Sequence, residues 1–101
     1  MIKKFTPLPY TFNDWRKLSN KVRFREQKIF YEANKEYISK HLREKKWVII
    51  LASSGTIYSA GDYMDTFPST KEILRIANET NEFPATYSSP PKIEEIFLKA
   101  A

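Results

Sequence analysis

Apolar and polar positions alternate at three different rhythms along this 101-residue chain. Residues 1–12 have no regular period. Pro7 and Pro9 bracket Leu8, and proline fixes φ and steers the residue before it away from helix, so this stretch reads as an extended arm. Its apolar residues (Ile2, Phe5, Leu8, Tyr10, Phe12) call for a surface to pack on, either the chain's own domain or a partner. Thr11 and Asp14 then stand at capping spacing, with Asn13 as an alternative cap, which predicts a helix beginning near Asn13. From there through Lys46 no proline or glycine interrupts the chain. Val22, Phe30, Ala33, Tyr37, Ile38, His41 and Leu42 recur at three- and four-residue steps, while Lys28, Glu32, Lys35, Glu36, Lys40 and Glu44 fall on the other side. Thirty-four residues are long for one helix in a small domain, and Ser19–Asn20 is the expected break.

The rhythm changes at Trp47. Trp47–Ala52 is a continuous apolar run rich in β-branched residues, the pattern of a strand covered on both faces. Ser53-Ser54-Gly55 is turn chemistry, and Thr56–Ala60 completes a hairpin over 47–60. After a connector, Ser69 and Glu72 form a capping box for a helix over 70–80, with Ile73, Ile76, Ala77 and Thr80 on one face. Asn81 and Pro84 stop it, and residues 84–88 read as a short third strand. Ile93, Ile96 and Phe97 suggest a short terminal helix after Pro90-Pro91. The expected architecture is α+β: an arm over 1–12, then one domain over 13–101. Its long helix and the 70–80 helix are expected to lie together on one face of a small sheet, over Val48 and Ile50.

Composition narrows the chemistry. With no cysteine there is no disulfide, thiolate nucleophile, zinc ribbon or iron–sulfur ligation. The longest apolar run is too short to span a bilayer, and the basic start lacks the apolar stretch of a secretory signal, so a cytoplasmic protein without membrane association is expected. His41 is the only histidine, and it sits on the apolar side of the helix. Asp62, Asp65 and Glu72 are close in sequence but lack the density of a calcium loop, and turn and capping roles account for them. Gly55 and Gly61 are misplaced for a phosphate loop, with Asp62 where its lysine would be. Ser53-Ser54 lacks a nucleophile elbow. Asn78-Glu79-Thr80 matches a glycosylation sequon inside the expected helix. No cofactor, metal or catalytic set is expected, and the chain reads as a non-enzyme.

Charge is uneven. Residues 1–46 carry 13 Lys and Arg against 5 Asp and Glu, while residues 47–101 carry 4 against 7. Such asymmetry marks a basic surface for an anionic partner, or two halves that neutralise each other. Lys17, Lys21, Arg23, Arg25 and Lys28 cluster with Trp15, Phe24, Phe30 and Tyr31 interleaved. Basic residues neutralise phosphates and aromatic rings stack on bases, yet no RNP, KH or zinc-finger motif is present. Aromatic and arginine residues also anchor protein interfaces. The leading expectation is therefore a small protein-interaction module or self-associating chain, using Phe5, Leu8, Phe12 and Trp15 with the basic cluster. The alternative is a nucleic-acid-binding accessory protein using segment 15–31.

Tyr37, Leu42, Lys46-Trp47-Val48-Ile49-Ile50, the hairpin through Gly55, the Gly61 turn, the Pro68/Ser69 helix start and Phe83-Pro84 together resemble a family of short prokaryotic proteins known only as a domain of unknown function. The resemblance covers about residues 30–90. It implies a helix, a Lys-Trp-Val strand, a hairpin, a short helix and a Pro-led strand, and no activity or site residue.

Overall fold

A computed structural model describes residues 5–89. Four helices and one antiparallel sheet make it an α+β protein: α1 (Phe12–Trp15), α2 (Asn20–Ala33), α3 (Lys35–Leu42), β1 (Trp47–Leu51), β2 (Ile57–Gly61), α4 (Thr70–Thr80) and β3 (Pro84–Ser88). The expected terminal helix near Ile93, and Ile2 of the arm, lie outside the described residues.

The sheet has the order β2-β1-β3, which puts the apolar run in the middle. All five residues of β1 are buried, and burying each of its aliphatic side chains is worth about 1.5–3 kcal/mol. Successive side chains point to opposite faces, so β1 feeds two separate clusters. Val48 and Ile50, with their neighbours Tyr87 and Ala85 on β3, pack against Phe30, Ile38 and Leu42. Trp47, Ile49 and Leu51 pack against Ile76 and Phe67. The helices expected together on one face are therefore divided. Because a strand apolar on both faces must be shielded on both, α2 and α3 cover one side and α4 sets Ile76 against the other, while its Ala77 joins the first cluster.

The long helical stretch breaks where expected and once more. Ser19 caps α2, its Oγ accepting from the Val22 amide at 3.2 Å. The second break is Asn34, which is buried and out of helical geometry at φ −116° and ψ 20°. Its side-chain amide donates to the Phe30 carbonyl and to the Thr6 carbonyl, both at 2.9 Å, while its Oδ1 accepts from the Thr6 amide at 2.7 Å. Asn34 thus pairs with the arm as a neighbouring strand would. The helical stretch ends at Leu42, four residues before Lys46.

The arm is part of the same core. The Leu8 amide donates to the Ala52 carbonyl at 2.9 Å, and the Phe12 amide to the Asn81 carbonyl at 2.8 Å. Asn81, the left-handed C-cap of α4 at φ 54°, also accepts from the Asn13 amide through Oδ1 at 3.0 Å. One residue so closes the end of α4 and satisfies the free amides at the start of α1. Phe5 packs edge-on to Phe30, with ring centroids 5.7 Å apart, and leans on Tyr37. It also covers Gly55, whose φ of 80° suits glycine.

Trp47 is locked by Gly61. The indole lies across the glycine, where an added Cβ would collide with Nε1 and the ring carbons beside it. Nε1 donates to the Tyr63 carbonyl at 3.1 Å and to Thr66 Oγ1 at 3.0 Å, fixing the 3-10 turn Met64–Thr66 that leads into α4. Gly61→Ala is expected to lower unfolding free energy by roughly 3 kcal/mol, the upper end of overpacking costs, read as a shift in denaturant midpoint. Asn34→Ala strands the backbone amide and carbonyl of Thr6 and is expected to cost about 2–3 kcal/mol. In hydrogen exchange the amides of Thr6 and Leu8 should lose protection first.

Candidate functional site

The outer face of α2 carries the chain's exposed basic cluster. Gln27 and Phe30 point inward and set the helix rotation. With 3.6 residues per turn, Lys21, Arg25 and Lys28 then share the outward side at steps of four and three, and all three are exposed. Phe24 stands beside them, 43% exposed, with Lys28 Nζ 5.7 Å from its ring centroid. Such a contact at an exposed site is worth about 0.5–1 kcal/mol. Lys17 is exposed in the turn before the helix. Among the described residues, none of Lys17, Lys21, Arg25 and Lys28 has an acidic group within ion-pair distance.

The acidic residues of this helix are occupied or set apart. Glu26 turns toward the arm and accepts from the Tyr10 hydroxyl at 3.2 Å. Glu32 lies one turn beyond Lys28 and reaches Lys35 at 4.0 Å. Mutual neutralisation of the two halves of the chain is slight: among the described residues the only ion pair joining them is Lys45–Asp62 at 3.0 Å. Arg75 is taken by Glu72 and Glu79 within its own helix.

The expected site residues separate into two groups. Leu8, Phe12 and Trp15 are at most 7% exposed and belong to the chain's own core. Phe5 is half-buried against Phe30, Tyr37 and Gly55. These four side chains stabilise the fold and present no surface anchor, because the arm lies down on its own sheet and helices. Arg23 also leaves the cluster: it is half-buried, and its guanidinium donates to Asn20 Oδ1. Lys17, Lys21, Arg25 and Lys28 remain outside. Of the interleaved aromatics only Phe24 is exposed; Trp15 and Phe30 are core and Tyr31 is half-buried against Tyr87. The apolar cleft between the arm and α2 was not anticipated. It measures about 260 Å³ and is lined mainly by Pro7, Leu8, Pro9, Ile29, Phe30 and Ala33. Ile29, 56% exposed, stands at this cleft; its place outside the regular apolar spacing of the helix was the available signal.

The polar residues weighed for chemistry are dispersed. Asp62 pairs with Lys45, and Glu72 with Arg75, which holds the Glu72 carboxyl below its usual range. Ser53 Oγ donates to the Tyr10 carbonyl, tying the turn to the arm, and Ser54 Oγ donates to Thr56 Oγ1 within the turn. Asn78 lies within α4. Among the described residues no three His, Cys, Asp or Glu side chains gather as metal ligands, and no helix is long and apolar enough to cross a membrane. Compared with known proteins, the chain matches no family model, no curated sequence and no solved structure. The likeness noted over residues 30–90 therefore contributes nothing to the site.

His41 stacks edge-on to Tyr37, with centroids 4.7 Å apart. Burial, and then the nearby Lys40 charge, lowers its pKa from 6.5. Above about pH 6.5 both folded and unfolded chains hold it neutral. As pH falls through that value the unfolded chain binds the proton first, so stability declines until pH passes the folded pKa. Urea midpoints at about pH 7.5 and about pH 5.5 should differ more for the native chain than for His41→Asn, the difference isolating this group from the carboxylates.

Proposed function

We propose that this protein is a non-enzymatic binding module whose contact surface is the outer face of α2 and whose partner is a nucleic acid. The observation that carries the reading is the disposition of the basic cluster: Lys21, Arg25 and Lys28 on one exposed face, without acidic partners, and with an exposed phenylalanine among them. Surface charges are ordinarily interspersed with charges of opposite sign. Between Arg16 and Lys28 the chain has six basic side chains and one acidic, Glu26, and Glu26 is turned to Tyr10. Clustered cations gain by displacing counterions from a phosphate backbone.

A protein partner is the second reading. The aromatic anchors that favoured it in the sequence are interior, and its support is now Ile29 beside the apolar cleft. The two readings separate on variants. Lys21→Ala/Arg25→Ala/Lys28→Ala should leave folding intact, since all three side chains are exposed. It should remove most oligonucleotide affinity in a fluorescence anisotropy titration at low salt. Three neutralised phosphates imply a log–log salt slope near −2 on single strands, an affinity loss of roughly twentyfold between about 50 and about 200 mM salt. Ile29→Ser, which removes the apolar side chain at the cleft without adding charge, should leave that binding unchanged. Undetectable binding of the native chain at low salt would remove the nucleic-acid reading.

A further inference from the structure

Resting on the nucleic-acid reading, we infer that the face of α2 takes an unpaired strand, stacking one base on Phe24 while Lys21, Arg25 and Lys28 hold the flanking phosphates. Phe24 is the decisive residue. It is 43% exposed in the middle of a charged face, and the cluster beneath is closed by Phe30 and Tyr31 without it. An aromatic ring left in water among cations suits a flat, apolar, anion-bearing ligand, and a nucleotide combines those properties.

The choice of strand follows from what each nucleic acid shows. A duplex offers phosphates and groove edges, but its base faces are stacked on one another, so Phe24 would gain little beyond a methyl contact in the groove. An unpaired strand exposes those faces, and an aromatic platform beside cations binds it with little regard to sequence. Lys28 Nζ lies over the ring, 5.7 Å from its centroid; a base that stacks there displaces the ammonium, whose flexible stem then lets it reach the phosphate of the stacked nucleotide. Lys21 flanks the ring one turn earlier and Arg25 adjoins it, over about 10 Å of helix. The ends of the track are unequal. Beyond Lys28 stands Glu32 with Lys35, whereas before Lys21 stands the exposed Lys17. The strand therefore runs from Lys28 toward Lys17 and not onward to α3.

The test compares a labelled oligothymidylate with a duplex of equal length on the full chain, by anisotropy at low salt. The single strand should bind more tightly. Phe24→Ala and Phe24→Leu should each weaken it by roughly five- to 150-fold, the range for losing one base–aromatic stack, with the salt slope unchanged. Phe24→Trp should keep the affinity, and its indole emission should be quenched on binding. Circular dichroism melts serve as the folding control. Equal binding of strand and duplex, with Phe24→Leu neutral and the triple basic variant defective, would overturn the inference while leaving the nucleic-acid reading standing. Polyglutamate binding as tightly as the oligonucleotide would overturn both in favour of an acidic protein partner. No binding of any polyanion at low salt would also overturn both.

Discussion

A strand apolar on both sides imposes most of this architecture. Trp47–Leu51 has no face that water can be allowed to reach, and three strands are too few to hide it without help from helices. One layer must come from each side, and the chain supplies them in order. The helical first half reaches β1 from Val48 and Ile50, and α4 reaches it from Ile49 and Leu51. Pairing in the middle of the sheet removes β1's edges as well, since β2 and β3 take up its two rows of backbone groups. Trp47, the largest side chain in β1, fits only because its neighbour across the hairpin is Gly61.

The basic surface follows from this division of labour. α2 needs only its inner stripe for the core, and Gln27, Phe30 and the Asn34 turn satisfy that need. The outer side is free of packing duty, so Lys21, Phe24, Arg25 and Lys28 cost the fold little and contribute little to it. On the proposed reading their density serves binding. Internal neutralisation would have required acidic residues of the second half to face α2, yet those whose ion pairs are seen are engaged with Arg75 or with Lys45 at the other end of the helical stretch.

Much of the fold was legible in the residues. The Trp47 run, the hairpin, the Ser69 cap, the Asn81 stop and the 84–88 strand follow from local rules, because caps, turns and apolar runs act within a few residues. The missed features depend on distant partners. Asn34 interrupts the helical stretch for the sake of Thr6, 28 residues earlier, and nothing in the neighbouring pattern marks an asparagine as a future interior staple. The sidedness of α4 was decidable, since a strand covered on both faces forbids placing both helices together, but the amphipathic periods alone do not say which face each takes. Of the site, the basic residues were found by their clustering in the sequence, whereas exposure sorted them: an arginine two residues from an exposed lysine can turn inward, as Arg23 does. The arm's aromatics were ambiguous for the same reason, since core and interface favour the same side chains.

The arm's contacts have a bearing on how the molecule is made. Leu8 needs Ala52, and Phe12 and Asn13 need Asn81, 68 positions downstream of Asn13. A ribosome delivers the greasy arm long before its resting places exist, at about 5–20 residues per second. For several seconds it must travel unsheltered, and contacts of such long reach form slowly. Docking of the arm can be completed only when the stretch that ends α4 has left the exit tunnel.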